Sequence, residues 1–338
     1  INRPIMLQRK LLIIVAAIAV IAGCTTRKPY KMLEGVAWNT TFHIIYSSSA
    51  SLDDSIHDIM RQVELSISPY CDSSTISKIN RNESMITDSM FRKVFLKSKH
   101  INNISQGAFD PTIAPVINLW GFGSGKAAEH TPSQHQIDSA LQLMGIDECF
   151  LTPSDTIVKK HPGTEFDFSA IAKGYGCDAI AEMMRRNGCL NFMIEVGGEI
   201  VVDGNSPRGT DWNVMIDAPL QAHNSILHDG IAVISVTSCA IATSGNYRNF
   251  RNVDGAIYGH SISPSTGRPA ENSTLSVTVV APECITADAL ATACMVMNID
   301  SAINMIERLD NVSALFVTAD ENGQWQLRTT SRFPKLIH

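Results

Sequence analysis

Asp288 and Thr292 stand four residues apart in TADALAT at 286–292. On a helix that spacing puts a carboxylate and a hydroxyl on one face as hard oxygen ligands, a pair that suits Mg²⁺. A plainer reading gives Asp288 a place in the first helical turn, where its charge meets the helix dipole. Four further segments use residue types that a plain core does not need. In DFSAIAKGYGCD at 167–178, which MIEVGGEI follows at 193–200, Asp167 and Lys173 flank an expected strand-to-helix turn. Free backbone N–H groups attract anions at such a turn, although a surface ion pair plus capping uses the same residues. The run GAFDPTIAPVINLWGFG at 107–123 stops one element at Asp-Pro-Thr and sets Trp120 and Phe122 on either side of Gly121. That arrangement suits stacking on an aromatic ring or close backbone approach to a ligand, and equally a turn with core aromatics. IATSGNYRNF at 241–250 offers two hydroxyls and a glycine in an expected turn, with Arg248 and Arg251 near enough for phosphate. GHSISPSTGRP at 259–269 is polar and closed by Gly267 and Pro269, which an ordinary turn also explains. One pattern misleads: residues 121–126 look like a phosphate loop, but Trp120 fills its first glycine position and Ala127 replaces its hydroxyl.

The elements that position these segments follow from periodicity. A strand is expected from Thr41 to Ser47, and helical spacing joins Ile56, Ile59, Met60 and Val63. Phe91, Val94 and Phe95 suggest another helix, and a third opens at Thr131-Pro132 and closes at Gly145. A helix runs from Ala170 to Arg186 before Gly188. Strands are expected at 192–196, 212–216, 231–237, 275–280 and 314–318, with helices at about 286–298 and 300–309. Strands and helices mix without βαβ alternation, so the fold class is α+β, and we read one domain in one or two lobes.

With 338 residues, 44% hydrophobic and 18% charged, the chain can bury a sizeable core, which excludes disorder. The net charge of -6 argues against a basic face for nucleic acid. Apart from Cys24 there are seven cysteines, at 71, 149, 177, 189, 239, 284 and 294, with no C-x-x-C spacing. They are neither a disulfide framework nor a zinc ribbon, and we read most of them as small buried hydrophobes. At the N-terminus Arg9 and Lys10 precede an apolar run from Leu11 to Ala22 that is too short to span a bilayer. It ends in Ile21-Ala22-Gly23-Cys24, which resembles a bacterial lipobox whose thiol receives a diacylglyceryl group carrying palmitate. The expected organisation is therefore a signal peptide at 1–23, a tether at 24–35 with lipid on Cys24, and a catalytic domain at 36–335.

Taken together and in order, the five segments resemble the FAD:protein FMN transferases, the ApbE-type flavin transferases, from about Val36 to Phe316. The resemblance implies a single ApbE-type, T-fold-like domain that holds FAD in a deep pocket and cleaves its pyrophosphate. FMN is then joined by a phosphoester bond to a Ser or Thr of an exported flavoprotein subunit, and AMP leaves. Carried over residue by residue, Mg²⁺ would be held by the Ala170 carbonyl, Asp288 and Thr292. FAD would meet Trp120, Gly121, Phe122, Asp167, Lys173 and Ile262, and Trp38 would stand where the family commonly has a methionine. The family's histidine-x-isoleucine-aspartate-proline becomes His260-Ser261-Ile262-Ser263-Pro264, which removes one carboxylate. His260 is the candidate base for the attacking hydroxyl, and Lys173 and Asp288 would counter the charge of the pyrophosphate. The implied location is the periplasmic side of the inner membrane, through the lipid anchor. An FAD pyrophosphatase yielding FMN and AMP, and a non-catalytic flavin-binding lipoprotein, are the alternatives.

Overall fold

The computed structural model describes residues 28–123, 130–219, 230–245, 250–253, 256–259, 261–270, 272–320 and 324–337, with backbone alone for 250–253 and 256–258. Its centre is an eight-stranded sheet, antiparallel throughout. The strand order is Tyr30–Ala37, Thr40–Ser47, Phe192–Val196, Glu199–Asp203, Cys239–Gly245, Thr274–Ala281, Ser313–Ala319 and Trp325–Thr329. Period-2 alternation sends neighbouring residues to opposite faces. Val201, Ala242, Val279 and Phe316 pack under helices, while Val202, Ile241, Val280 and Leu315 pack on a second sheet of Trp212–Asp217, Gly230–Val236 and Leu336–Ile337. Helices on one face of an antiparallel sheet make an α+β fold, as expected.

The helical layer is built from Asp53–Ile67, Ser89–Ile104, Ala172–Arg186, Cys284–Val296 and Ile299–Glu307. A smaller cluster joins Ala114–Leu119, Gln134–Leu141 and the hairpin Ile262–Ser263 with Arg268–Pro269, around buried Trp120 and Ile137. The Gln134–Leu141 helix starts at a Ser133 capping box, two residues later than its expected opening, because the Ser133 hydroxyl and Gln136 amide satisfy the free N–H groups there.

Several strands escape the sequence reading. Tyr30–Ala37 begins inside the stretch expected to be tether and runs past its end, and it pairs along its whole length with Thr40–Ser47. Glu199–Asp203 follows Phe192–Val196 through a two-residue Gly197-Gly198 turn with both φ positive. Cys239–Gly245 is a central strand where a turn was expected. The cysteines follow expectation: all seven described are unbridged, and five are buried.

Candidate active site

The Cys284–Val296 helix is apolar around almost its whole circumference, so it is buried between the sheet and the other helices. Asp288 is its one charged residue and is 3% exposed. A buried carboxylate is costly unless it finds partners. The helix begins at Cys284, two residues ahead of the expected start, so Asp288 lies in the second turn and does not meet the dipole of its own helix. Its Oδ2 instead accepts the amide N–H of Gly174 at 2.9 Å, one of the orphan donors in the first turn of Ala172–Arg186. Glycine is required there: a Cβ on Gly174 would fall 2.4 Å from the Cys284 carbonyl oxygen and 2.8 Å from Asp288 Cβ. Because the Gly174 N–H turns to Asp288, the Ala170 carbonyl four residues earlier receives no bond from it.

Lys173, one residue before Gly174, places its Nζ 2.6 Å from Glu199 Oε1. The lysine side chain keeps 31% of its surface accessible and the glutamate only 3%. Burial works against charge on Lys173, but Glu199 and Asp288 outweigh it and hold the ammonium's pKa above its usual value. Burial raises both carboxyls, with Lys173 pulling them back down and Asp288 adding to the rise at Glu199. The second oxygen of Glu199, Oε2, is buried and has no hydrogen-bond partner among the described residues. One ammonium therefore faces two buried carboxyl groups, and the cluster keeps oxygen atoms suited to a further cation or donor.

Thr292 lies one turn beyond Asp288, with its hydroxyl 3.2 Å from that of Ser244. Thr243 and Thr278, paired across adjacent strands, place their hydroxyls 2.9 Å apart. Ser244 is thus presented to the helix by a strand, while Thr243 and Thr278 lie on the opposite face with Ile241 and Val280; pairing on both sides overrides the turn preference of Thr-Ser-Gly. Arg248 and the side chain of Arg251 lie outside the described residues.

The expected flavin contacts divide. Trp38 sits at positive φ with Asn39 in the turn between the first two strands, its ring over Gly176 and its indole N–H bonded to the Met60 carbonyl at 3.1 Å. That turn lies beside Gly197, whose N–H bonds to Thr41, so Trp38 and Glu199 share one end of the sheet. Trp120 is 1% exposed and donates to the Gly267 carbonyl at 2.8 Å, so it joins the tryptophan loop to the Thr-Gly-Arg-Pro turn. Gly121 has a φ of 72°, Phe122 is half-buried and Ile262 is buried in the same cluster. Asp167 accepts the Ser169 N–H at 2.7 Å and donates its own N–H to Pro111, tying the approach to the Ala172–Arg186 helix onto the Asp-Pro-Thr step. His260 and Cys24 lie outside the described residues.

The structure adds Glu199, Asp178 and Ser244 to the residues named from sequence. The signal for Glu199 is a carboxylate opening an apolar strand straight after Gly-Gly, a hairpin pattern that places it in a sheet core. Among the described residues no group of three or more His, Cys, Asp or Glu is arranged to hold a metal. A cation here would rely on the mixed oxygen set of one carboxylate, hydroxyls and a carbonyl.

The model of the ApbE family matches residues 38–316. A Haemophilus influenzae protein named FAD:protein FMN transferase is 32% identical over 96% of both chains. A Vibrio cholerae protein of the same name is 31% identical over 97% of this chain and 99% of its own. Among solved structures, the flavin transferase ApbE from Vibrio cholerae aligns with a TM-score of 0.80 at 30% identity, over 90% of this chain and 97% of its own. The Pseudomonas stutzeri flavinyl transferase ApbE, apo form, aligns with a TM-score of 0.80 at 26% identity, covering 91% and 96%.

Proposed function

The chain belongs to the ApbE family, and on that premise we propose how it works as an FAD:protein FMN transferase that depends on Mg²⁺. FAD is cleaved at its pyrophosphate. A Ser or Thr hydroxyl of an exported flavoprotein subunit attacks the FMN phosphorus, the bond to the AMP oxygen breaks, and the hydroxyl proton passes to a base. His260 is the proposed base.

The residues present fit Mg²⁺. Asp288 is a buried carboxylate and the one charge on its helix, with Thr292 one turn along, Ser244 touching that hydroxyl, and an Ala170 carbonyl that takes no bond from Gly174. Asp288, Thr292 and the Ala170 carbonyl would hold the ion, which when bound supplies neutralisation of the charge that builds on the leaving phosphate. Lys173 brings a permanent positive charge to the same place, and Glu199 fixes its direction. Gly121, Phe122 and Ile262 would wall the flavin, with Trp120 holding the wall from behind and Trp38 closing the opposite side. Asp167 would shape the approach through its turn. The observation that carries this reading is the cluster of half-buried Lys173 with buried Glu199 and Asp288, which a catalytically silent core would have no reason to keep.

The sequence at 21–24 supports lipidation of Cys24, which would hold the pocket at the periplasmic side of the inner membrane, where exported acceptors are displayed. Among the described residues no helix is long and apolar enough to cross a membrane.

Titration with Mg²⁺ tests the metal assignment. Chelation should abolish turnover yet leave FAD bound through the ring contacts. Asp288→Ala should mimic chelation, and Thr292→Ala should be milder, because a neutral hydroxyl contributes less to a cation than a carboxylate does. Full activity of Asp288→Ala at limiting Mg²⁺ would remove Asp288 from the ligand set.

A further inference from the structure

The Ala172–Arg186 and Cys284–Val296 helices meet at their first turns, and neither caps itself. Ile171 and Glu283 occupy the N-cap positions and make no side-chain cap bond. Each helix instead lends a carboxylate to the other. Asp178, one turn beyond Gly174, accepts the N–H groups of Cys284 at 2.9 Å on Oδ1 and of Ile285 at 2.8 Å on Oδ2. Asp288, one turn beyond Ile285, accepts the N–H of Gly174. Two carboxylates and three backbone amides thus close a ring across the helix pair, drawn tight by the missing side chain of Gly174.

One half of this ring is the carboxylate assigned to Mg²⁺. The other half belongs to a residue with no place in the reaction. Burial pushes the Asp178 carboxyl up to about 6 against the pull of both amides, so the protein keeps a charge there at a cost. Glu283 adds to that rise and Lys93, on the Ser89–Ile104 helix, opposes it. An uncapped first turn frays, and Asp288 stands only three residues past Ile285.

We propose that Asp178 is a positioning residue for the divalent-cation site, holding the first turn of the Cys284–Val296 helix so that Asp288 presents its carboxylate correctly before the ion arrives. The inference rests on the reading of Asp288 as a metal ligand. Removing a partner that orients a ligand typically costs about 10–100-fold in metal affinity, which sets the expected size.

Binding of Mg²⁺ alone to the full chain, followed by calorimetry, tests it in parallel with amide hydrogen exchange. Asp178→Asn keeps the shape but turns a donor toward one of the two amides. It should weaken Mg²⁺ by about tenfold or more, leave riboflavin affinity unchanged, and speed exchange at Gly174 as well as at Cys284 and Ile285. A role confined to stability would not separate Mg²⁺ from riboflavin. In the unaltered protein, Mg²⁺ should slow exchange at Cys284 and Ile285 although neither touches the ion, a measurement that stands even if the variant fails to fold. Unchanged Mg²⁺ affinity in folded Asp178→Asn, or exchange at Cys284 and Ile285 indifferent to Mg²⁺, overturns the proposal. If Asp288→Asn also leaves Mg²⁺ affinity unchanged, or the unaltered protein binds no Mg²⁺, the ligand reading itself fails. If Asp288→Asn loses Mg²⁺ and Asp178→Asn does not, only the positioning role falls.

Discussion

Lys173 is held charged by two carboxylates that burial would otherwise neutralise, and each of the three depends on the others. A phosphate arriving beside Lys173 competes with Glu199 for the ammonium. The lysine answers to whichever anion is nearer, so its contribution to binding is specific to phosphate-bearing ligands. Lys173→Ala should therefore weaken FAD much more than riboflavin, by about tenfold or more if one charge-assisted contact is lost. Titration of both ligands checks this, and equal losses would mean that Lys173 acts through the fold. Of the cluster, Asp288, Thr292 and Lys173 are legible in the sequence, because hydroxyls and charges at helical spacing inside an apolar run are conspicuous. Glu199 is not legible to the same degree: its partner is 26 positions away in sequence, and only the Gly197-Gly198 turn brings its strand beside the helix.

At the scale of elements, the pocket depends on how closely two helices approach. Gly174→Ala gains about 1 kcal/mol of helix propensity, yet its methyl would meet a backbone carbonyl that cannot swing aside. Overpacking of this kind costs about 1–3 kcal/mol, so the variant should melt lower and bind Mg²⁺ more weakly. A variant as stable as the parent with unchanged Mg²⁺ affinity would show that the helices separate freely. The same scale explains which elements sequence reasoning finds. Phe192–Val196 and Thr274–Ala281 are rich in branched residues and stand out locally. Cys239–Gly245 ends in Thr-Ser-Gly, which reads locally as a turn, and it is a strand to its end because Glu199–Asp203 and Thr274–Ala281 flank it. Trp325–Thr329 alternates Trp325 and Leu327 with Gln326 and Arg328, but it is short and exposed along its whole length at the sheet edge, so the alternation marks no buried face. Trp120 belongs here too: an aromatic next to Gly121 reads as a ligand platform, and the hydrogen bond to Gly267 shows that it also pins two loops together.

For the whole molecule, one large antiparallel sheet carries the helical layer on one face and a small sheet on the other, which places the acidic cluster, the Trp38 turn and the tryptophan loop on a common frame. The N-terminal strand is part of that frame from Tyr30 onward, so a lipid on Cys24 would sit only a few residues from the folded body. Cys24→Ser should release the protein from membranes while leaving its flavin chemistry intact, since only the thiol accepts the lipid; persistence of the variant in the membrane fraction would contradict the lipobox reading. The central claim is that FMN, and not whole FAD, moves onto a protein hydroxyl. Mass spectrometry of an exported flavoprotein subunit incubated with the enzyme, FAD and Mg²⁺ tests it most directly, with AMP quantified in the same reaction. A flavin transferase should leave one added FMN mass on a Ser or Thr and release AMP in equal amount. AMP and free FMN with an unmodified acceptor would make the protein a pyrophosphatase, and intact FAD would make it a flavin carrier; either result contradicts the account.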